Sequence, residues 1–485
     1  MSRFRSAPLI AFVSLVAAPV GLVLLWTRDN TAFFRKVFYS LIISGVGVAQ
    51  AFYYFGWKIE MAGSGLPAFV SYKDREVYER KLDKSRQAPS APTTAEASSS
   101  PAPAKNYWTD YRGPNRLGVY DEMPILTSWP KSGLTRLWKQ PVGGGYASFV
   151  IAGGLAYTIE QRRDSEVVAA YDVATGKERW TNSWKAAFKE SMGGDGPRTT
   201  PVYDEGRIYA LGAEGELRCL DAATGKVIWN KNMLQENGAS NLTWAQAASP
   251  LVVEEKLIVL PGGPGGKSVV AYDKMTGKTI WTSQNDEQAY TSPILVTLGG
   301  KQQLVVVSAL RAMGLTLEEG KLLWEFPWVT EYHVNAAQPL VVGANRFFLS
   351  AGYGHGAALV EVSGGGAKAV WRNTKMKNKF SSPVLHEGFI YGLDEGILAC
   401  LDVNTGDQKW KGGRYGHGQV LLASGHLIVI TEEGDLALLK ASPTKNEELA
   451  RFAAIDGKTW NNPAIANGVL LVRNTTEMAA FKIAR

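Results

Sequence analysis

From residue 106 onward, short runs of alternating and β-branched apolar residues are separated by polar turns. "TTPVYDEGRIYAL" (199–211), "ASPLVVEEKLIVL" (248–260), "TSPILVTLGGKQQLVVV" (291–307), "AQPLVVGANRFFL" (337–349), "SSPVLHEGFIYGL" (381–393) and "NNPAIANGVLLV" (461–472) are versions of one signal. "ASFVIAGGLAYTI" (147–159) and "GQVLLASGHLIVI" (418–430) repeat it without the proline. The period of two predicts strands, the "DEG" and "ANG" steps predict turns, and a proline fits the start of a strand, where a missing N–H is tolerated. A third strand then ends in Tyr-Asp or Leu-Asp and runs into D-x-x-T-G. There the aspartate can hold backbone N–H groups and the glycine can take positive φ. A fourth strand closes each unit on a tryptophan.

Four strands recurring every 40 to 50 residues or so predict the blade of a β-propeller. The closing residues are Trp138, Trp180, Trp229, Trp281, Trp324, Trp371 and Trp410, with Phe452 in the same role, so eight blades are expected. Trp138 has no strands of its own before it, and the last phrase, residues 477–485, has no tryptophan strand after it. Residues 134–141 are therefore expected to complete the blade that begins near Trp460, closing the ring and removing its exposed edge. The fourth and fifth units, "GLTLEEGKLLW" (314–324) and "VEVSGGGAKAVW" (360–371), lose the aspartate and threonine but keep the tryptophan. The fold class is all-β, an eight-bladed propeller over 106–485 following an N-terminal membrane segment.

Before residue 106 the pattern changes. Pro8–Trp26 and Val37–Trp57 carry no charge and are each long enough to cross a hydrocarbon layer as a helix. A transmembrane hairpin over 1–58, with spans at 8–26 and 37–57, is expected. "SYKDREVYERKLDKSR" (71–86) reads as a charged helical stalk and 87–105 as a Pro/Ser/Ala-rich linker, together spanning 59–105. The formal charge of +7 is concentrated here, with twelve Lys/Arg against six Asp/Glu before residue 87. A basic membrane flank explains the excess, so no nucleic-acid partner is implied. Arg3, Arg5, Lys58, Lys73 and Arg75 against Arg28, Arg35 and Lys36 lean mildly toward cytoplasmic ends.

The A-x-D-x-x-T-G-x-x-x-W repeat resembles that of the pyrroloquinoline-quinone (PQQ)-like propellers, which include the quinoprotein alcohol dehydrogenases and the BamB outer-membrane assembly lipoproteins. "YWTDYRGPNRLG" (107–118) is similar to the opening of exported, membrane-associated members. The resemblance implies a bacterial inner-membrane protein with its propeller in the periplasm, against the lean of the charge count. For a dehydrogenase it also implies adjacent cysteines under the quinone, a tryptophan floor, Ca²⁺ held by acidic and amide side chains, and an aspartate base. The only cysteines, Cys219 and Cys400, stand in equivalent strands four blades apart and read as small apolar residues.

Five scattered histidines show no metal-ligand spacing, and no metal site is expected. "PGGPGGKS" (261–268) joins two strands where a phosphate loop would open a helix, so it reads as a turn. The remaining candidates are the segments before each innermost strand, which line one mouth of the channel in propellers of this type. They carry Arg198, Trp244, Gln246, Tyr290, His333, Asn335, Lys379, Arg414, His417 and Trp460 as ligand-binding candidates, with Asp195 in a Gly-rich loop as the base if the protein is an enzyme. The structural alternative is that these polar groups only solvate a funnel and satisfy loop backbones. The reading is a non-catalytic binding or scaffold module for a protein or small ligand, with no cofactor. The alternative is a PQQ- and Ca²⁺-dependent oxidoreductase, and a cytoplasmic-facing sensor or scaffold is a third reading.

Overall fold

A computed structural model describes residues 7–28, 31–87 and 106–485. Arg3, Arg5 and the linker from residue 88 onward lie outside the described residues. Two compact units emerge: residues up to Met61 with Leu66–Lys81, and Ala62–Gly65 with Leu82–Arg485.

In the first unit, the expected span at 8–26 is not one helix. It divides into α1 (Ala7–Val16) and α2 (Ala18–Trp26). Ala17 leaves the helical region at φ −148°, and Pro19 in the first turn of α2 lacks the N–H that would continue α1. The break strands backbone groups, and Gln50 covers them: its amide donates to the carbonyls of Ser14 and Leu15 and accepts from the Ala18 N–H. Gln50 sits on α3 (Phe33–Phe55). Among the described residues α3 alone is long and apolar enough to cross a membrane. It starts four residues before the expected second span and stops two before its end, because Gly56 takes the left-handed conformation and caps it. Trp57–Met61 (β1) and Pro67–Ser71 (β2) then pair as a hairpin that the sequence reading had not anticipated; α4 (Tyr72–Gln87) is the expected charged helix.

The second unit contains eight four-stranded antiparallel blades, the seventh with an added fifth strand. Blade 1 runs from Val150 to Lys185, blade 2 from Val202 to Asn232, and blade 3 from Leu251 to Ser283. Blades 4, 5, 6 and 7 follow at Ile294–Pro327, Leu340–Asn373, Val384–Arg414 and Gln419–Ala453. Blade 8 takes three strands from Ala464–Lys482, and its fourth is Arg136–Pro141, paired antiparallel to Glu477–Lys482. The ring thus closes as expected, by strands from the two ends of the propeller segment. In the six proline-bearing blades the proline sits one residue before the innermost strand, outside its ladder, where no N–H is needed.

The repeated phrase has a two-blade purpose. Asp172 accepts the Thr175 N–H and hydroxyl, both at 2.9 Å, which folds the turn; Asp221 and Asp273 do the same in blades 2 and 3. The turn glycine then lies against the tryptophan of the preceding blade. A Cβ on Gly225 would stand 2.4 Å from the Trp180 ring, and φ is +70°. Trp180 Nε1 donates to Ala222 O at 3.0 Å in the same turn. Trp138, Trp229, Trp281, Trp371 and Trp410 likewise donate to a carbonyl of the following blade. Trp324 is the exception. The next blade has only the two-residue turn Gly364–Gly365, so Trp324 bonds Gln303 of its own blade at 2.5 Å.

Nearer the axis the residues before the prolines stitch neighbours together. The Ser148 N–H donates to the Thr200 hydroxyl, Thr200 N–H to Ser249, Ser249 N–H to Ser292, Ser292 N–H to Gln338, and Gln338 N–H to Ser382. Each of these bonds joins one blade to the next.

Candidate functional site

The opening phrase 107–118 does not lie on the surface. Trp108, Arg112 and Arg116 are buried, and Val119–Tyr120 adds a parallel strand to the innermost strand of blade 7. Arg112 and Arg116 both have positive φ, part of a tight coil that turns their side chains onto the inner strands. Arg116 donates to the carbonyls of Ser249, Pro250 and Pro293, and pairs with Asp110 at 2.7 Å. Arg112 donates to Pro383 O at 3.1 Å and Asn462 Oδ1 at 3.2 Å. Two guanidiniums therefore join the inner-strand starts of blades 3, 4, 6 and 8 from within the channel. Buried cations this well provided with carbonyls are held in place, not free to bind. The sequence carried this signal as "YRGPNR", without showing that it braces the inner strands.

The loops before the inner strands do converge. Trp460 stacks on Tyr146 with centroids 5.2 Å apart and packs on Phe380 at 4.5 Å. Lys458 Nζ stands 4.6 Å from the Trp460 ring and donates to Gly193 O, which Tyr146 Oη also reaches. Arg198 lies over Tyr146 at 5.5 Å and Phe188 at 4.9 Å, with Glu190 3.9 Å away. Trp244 meets Tyr290 at 5.9 Å. Lys379 lies 5.0 Å from the Tyr353 ring and 3.2 Å from Glu395. His417 packs on Phe380 at 5.4 Å. Every blade thus supplies a residue to a continuous aromatic and charged rim.

Glu432, which the sequence reading missed, is the rim's main acceptor. It accepts Trp460 Nε1 at 2.9 Å, the His417 N–H at 3.0 Å and the Gly63 N–H at 2.7 Å. Burial pushes its carboxyl up, but these three donors outweigh burial and hold it below the usual carboxylate range. Burial and the Lys379 ammonium push the His417 imidazole below its ordinary value, leaving it neutral at pH 7. Burial also raises the Tyr290 phenol to about 12. The available signal was positional: Glu432 and Glu395 occupy equivalent turns between the second and third strands of consecutive blades.

Of the sequence candidates, Arg198, Trp244, Tyr290, Lys379, His417 and Trp460 come together on this rim. Gln246 and Asn335 are buried and tie loops: Gln246 donates to Asn241, and Asn335 to Ser308 O at 2.9 Å. His333 is half exposed and stands 3.4 Å from Glu287. Arg414 is exposed at the end of the outermost strand of blade 6, away from the inner strands. Asp195 is buried and accepts the Glu190 N–H at 3.1 Å, so it organises the Gly-rich loop instead of presenting a base.

A quinone site of the kind the resemblance implies would hold Ca²⁺ on acidic and amide side chains, with adjacent cysteines beneath the quinone. Among the described residues no three His, Cys, Asp or Glu side chains gather as metal ligands. Asp286 is taken by Arg311 at 2.7 Å, and Glu395 by Lys379. Cys219 and Cys400 are buried in blades 2 and 6, where burial raises both thiols to about 12. The residues present do not fit the quinone and its calcium.

An eight-bladed ring of this repeat is a PQQ-like β-propeller. A family model described as "Outer membrane protein assembly factor BamB" matches residues 163–412, a little over half the chain, and the chain belongs to that family. The BamB of Burkholderia pseudomallei is 24% identical over 353 residues, covering 64% of this chain and 89% of that protein. The BamB of Nitrosomonas eutropha is 25% identical over 259 residues, 48% of this chain, which spans 55% of that relative's length. A quinohemoprotein alcohol dehydrogenase of Comamonas testosteroni is 31% identical over 147 residues, covering 28% of this chain and 19% of that enzyme. The crystal structure of BamB from Moraxella catarrhalis superposes with a TM-score of 0.52 at 15% identity, over 72% of this chain and 99% of that one, a likeness of fold.

Proposed function

We propose that this protein is a membrane-anchored propeller of the bacterial inner membrane that works as a non-catalytic scaffold, binding a protein partner at its rim on the periplasmic side. The observation that carries the reading is the rim itself, where all eight blades place aromatic faces and committed charges around one mouth, while Arg112 and Arg116 are spent on the starts of the inner strands. Such a surface offers stacking area and directional hydrogen bonds without a free base or nucleophile. The relatives' printed role in outer membrane protein assembly supports a protein partner, and the apolar helix α3 supports the anchor. A photo-crosslinking residue in place of exposed Tyr332, whose ring lies 6.2 Å from the rim residue Tyr353, tests the reading in cells. A discrete adduct with one envelope protein is expected; its absence would overturn the scaffold role.

The PQQ-dependent oxidoreductase is the second reading, favoured by the local identity to the alcohol dehydrogenase. Against it stand the committed carboxylates and the separated cysteines. Calorimetric titration of the purified chain with PQQ and Ca²⁺ is expected to show no micromolar binding; stoichiometric uptake of the quinone would reverse the ranking.

A further inference from the structure

The rim already holds an occupant. Ala62–Gly65, the turn joining β1 to β2, groups with the propeller and not with the strands on either side of it. Gly63 is buried there. Its N–H donates to Glu432 Oε1 at 2.7 Å, and its carbonyl accepts from Lys379 Nζ at 2.9 Å. One carboxylate and one ammonium thus read the two polar groups of a single residue's main chain, each through a charge-assisted hydrogen bond. The position also selects the residue: a Cβ on Gly63 would stand 2.3 Å from His417 Cδ2. His417 is itself fixed by its N–H bond to Glu432 and by Phe380, so it cannot retreat cheaply. Gly63 needs no left-handed backbone, since its φ is not among the positive ones, so its requirement is space alone.

We infer that the Glu432–Lys379–His417 cluster is a peptide-binding site specific for a glycine at its centre, and that Ala62–Gly65 fills it in cis until a partner protein's Gly-bearing turn replaces it. The inference rests on the scaffold reading and names its ligand class. The occupant is a peptide because both contacts go to main-chain atoms, and it is a turn because the residue bound is the tip of one. A tethered turn has a high effective concentration, so a free peptide competes poorly until the tether is disabled.

The test uses the full chain in detergent and a fluorescein-labelled peptide of residues 60–67, EMAGSGLP. Gly63→Val removes the internal occupant and leaves the receiving residues untouched. The peptide is expected to bind Gly63→Val at least tenfold more tightly than the wild-type chain. A peptide with valine replacing the residue-63 glycine is expected to bind at least tenfold more weakly. Equal binding to both chains, or none to a Gly63→Val chain whose melt matches wild type, overturns the inference. If Gly63→Val does not fold, hydrogen exchange at the Gly63 amide decides: Glu432→Gln is expected to speed it at least tenfold, and an unchanged rate overturns the proposal. A rim adduct that survives saturating peptide on the Gly63→Val chain also overturns it, leaving the scaffold reading intact. Tight peptide binding without any rim adduct supports the site and removes the scaffold reading alone.

Discussion

Glu166 offers a quantitative test of how blades 1 and 2 are joined. It lies on the third strand of blade 1, fully buried, and its Oε1 accepts the Ala213 N–H of blade 2 at 2.9 Å. Burial raises its carboxyl from 4.5 to about 7, and the nearby Glu214 and Glu216 add to this against the Ala213 bond. Between those two values the native protein holds a proton that the unfolded chain has lost. Stability therefore falls as pH rises through this window, and the whole penalty is present above about pH 7. A shift of this size corresponds to about 3 kcal/mol at roughly 1.4 kcal/mol per pH unit. Glu166→Gln keeps the acceptor oxygen and the shape but never ionises. Urea unfolding of the full chain, followed by tryptophan fluorescence, should show variant and wild type within about 1 kcal/mol near pH 5 and the variant ahead by up to about 3 kcal/mol near pH 8. Parallel pH profiles for the two proteins would refute the argument, since they would mean that Glu166 is charged in the native state.

Three further outcomes are expected. Deleting residues 477–485 removes the partner of Arg136–Pro141 and should lower the melting temperature sharply by exposing the edges of the closing blade; an unchanged melt would contradict ring closure. Trp180→Ala should cost about 3 kcal/mol, the low end for a tryptophan because the ring is half-buried, and Trp324→Ala should cost more, about 4–5 kcal/mol, because that ring is buried and lies 5.1 Å from Phe347 of blade 5. An alkaline phosphatase fused after Lys105 should be active if the propeller lies outside the cytoplasm, whereas activity of a cytoplasmic reporter at the same point would place it inside.

The ring was legible because its signals are local and repeated. Alternation, the D-x-x-T-G turn and a closing tryptophan each act within a dozen residues, and the odd strand at Trp138 told where the chain had to close. The site was legible only by position. Arg198, Lys379 and Trp460 could be placed on the mouth from their loops, but Gln246 and Asn335, in equivalent loops of blades 3 and 5, are buried and bonded to the Asn241 side chain and the Ser308 carbonyl. Residue type cannot separate an amide that binds a ligand from one that satisfies carbonyls. Glu432 escaped notice because it sits in a different turn, and what makes it matter is three donors from residues 28, 15 and 369 positions away. The division of the first apolar segment into two helices has a local reason that hydropathy ignores: Ala17–Pro19 breaks the helix however apolar its neighbours are.

The two committed arginines limit where function can reside. An open propeller axis would leave two mouths and a passage, and ligands could bind anywhere along it. Here Arg112 and Arg116 hold main-chain carbonyls of blades 3, 4 and 6 and the Asn462 side-chain oxygen of blade 8, so the phrase 107–118 is part of what keeps the inner strands in register. Removing either guanidinium would strand those carbonyls in a buried setting, each lost bond costing on the order of 1–3 kcal/mol. The propeller cannot easily evolve a deep pocket without losing that brace. What remains is the rim, built from loops before the inner strands and from the turns that carry Glu395 and Glu432. A ring of eight near-identical blades therefore acquires specificity where the repeats differ, at Glu432, Lys379 and Trp460, and a turn with a glycine at its tip already satisfies that chemistry.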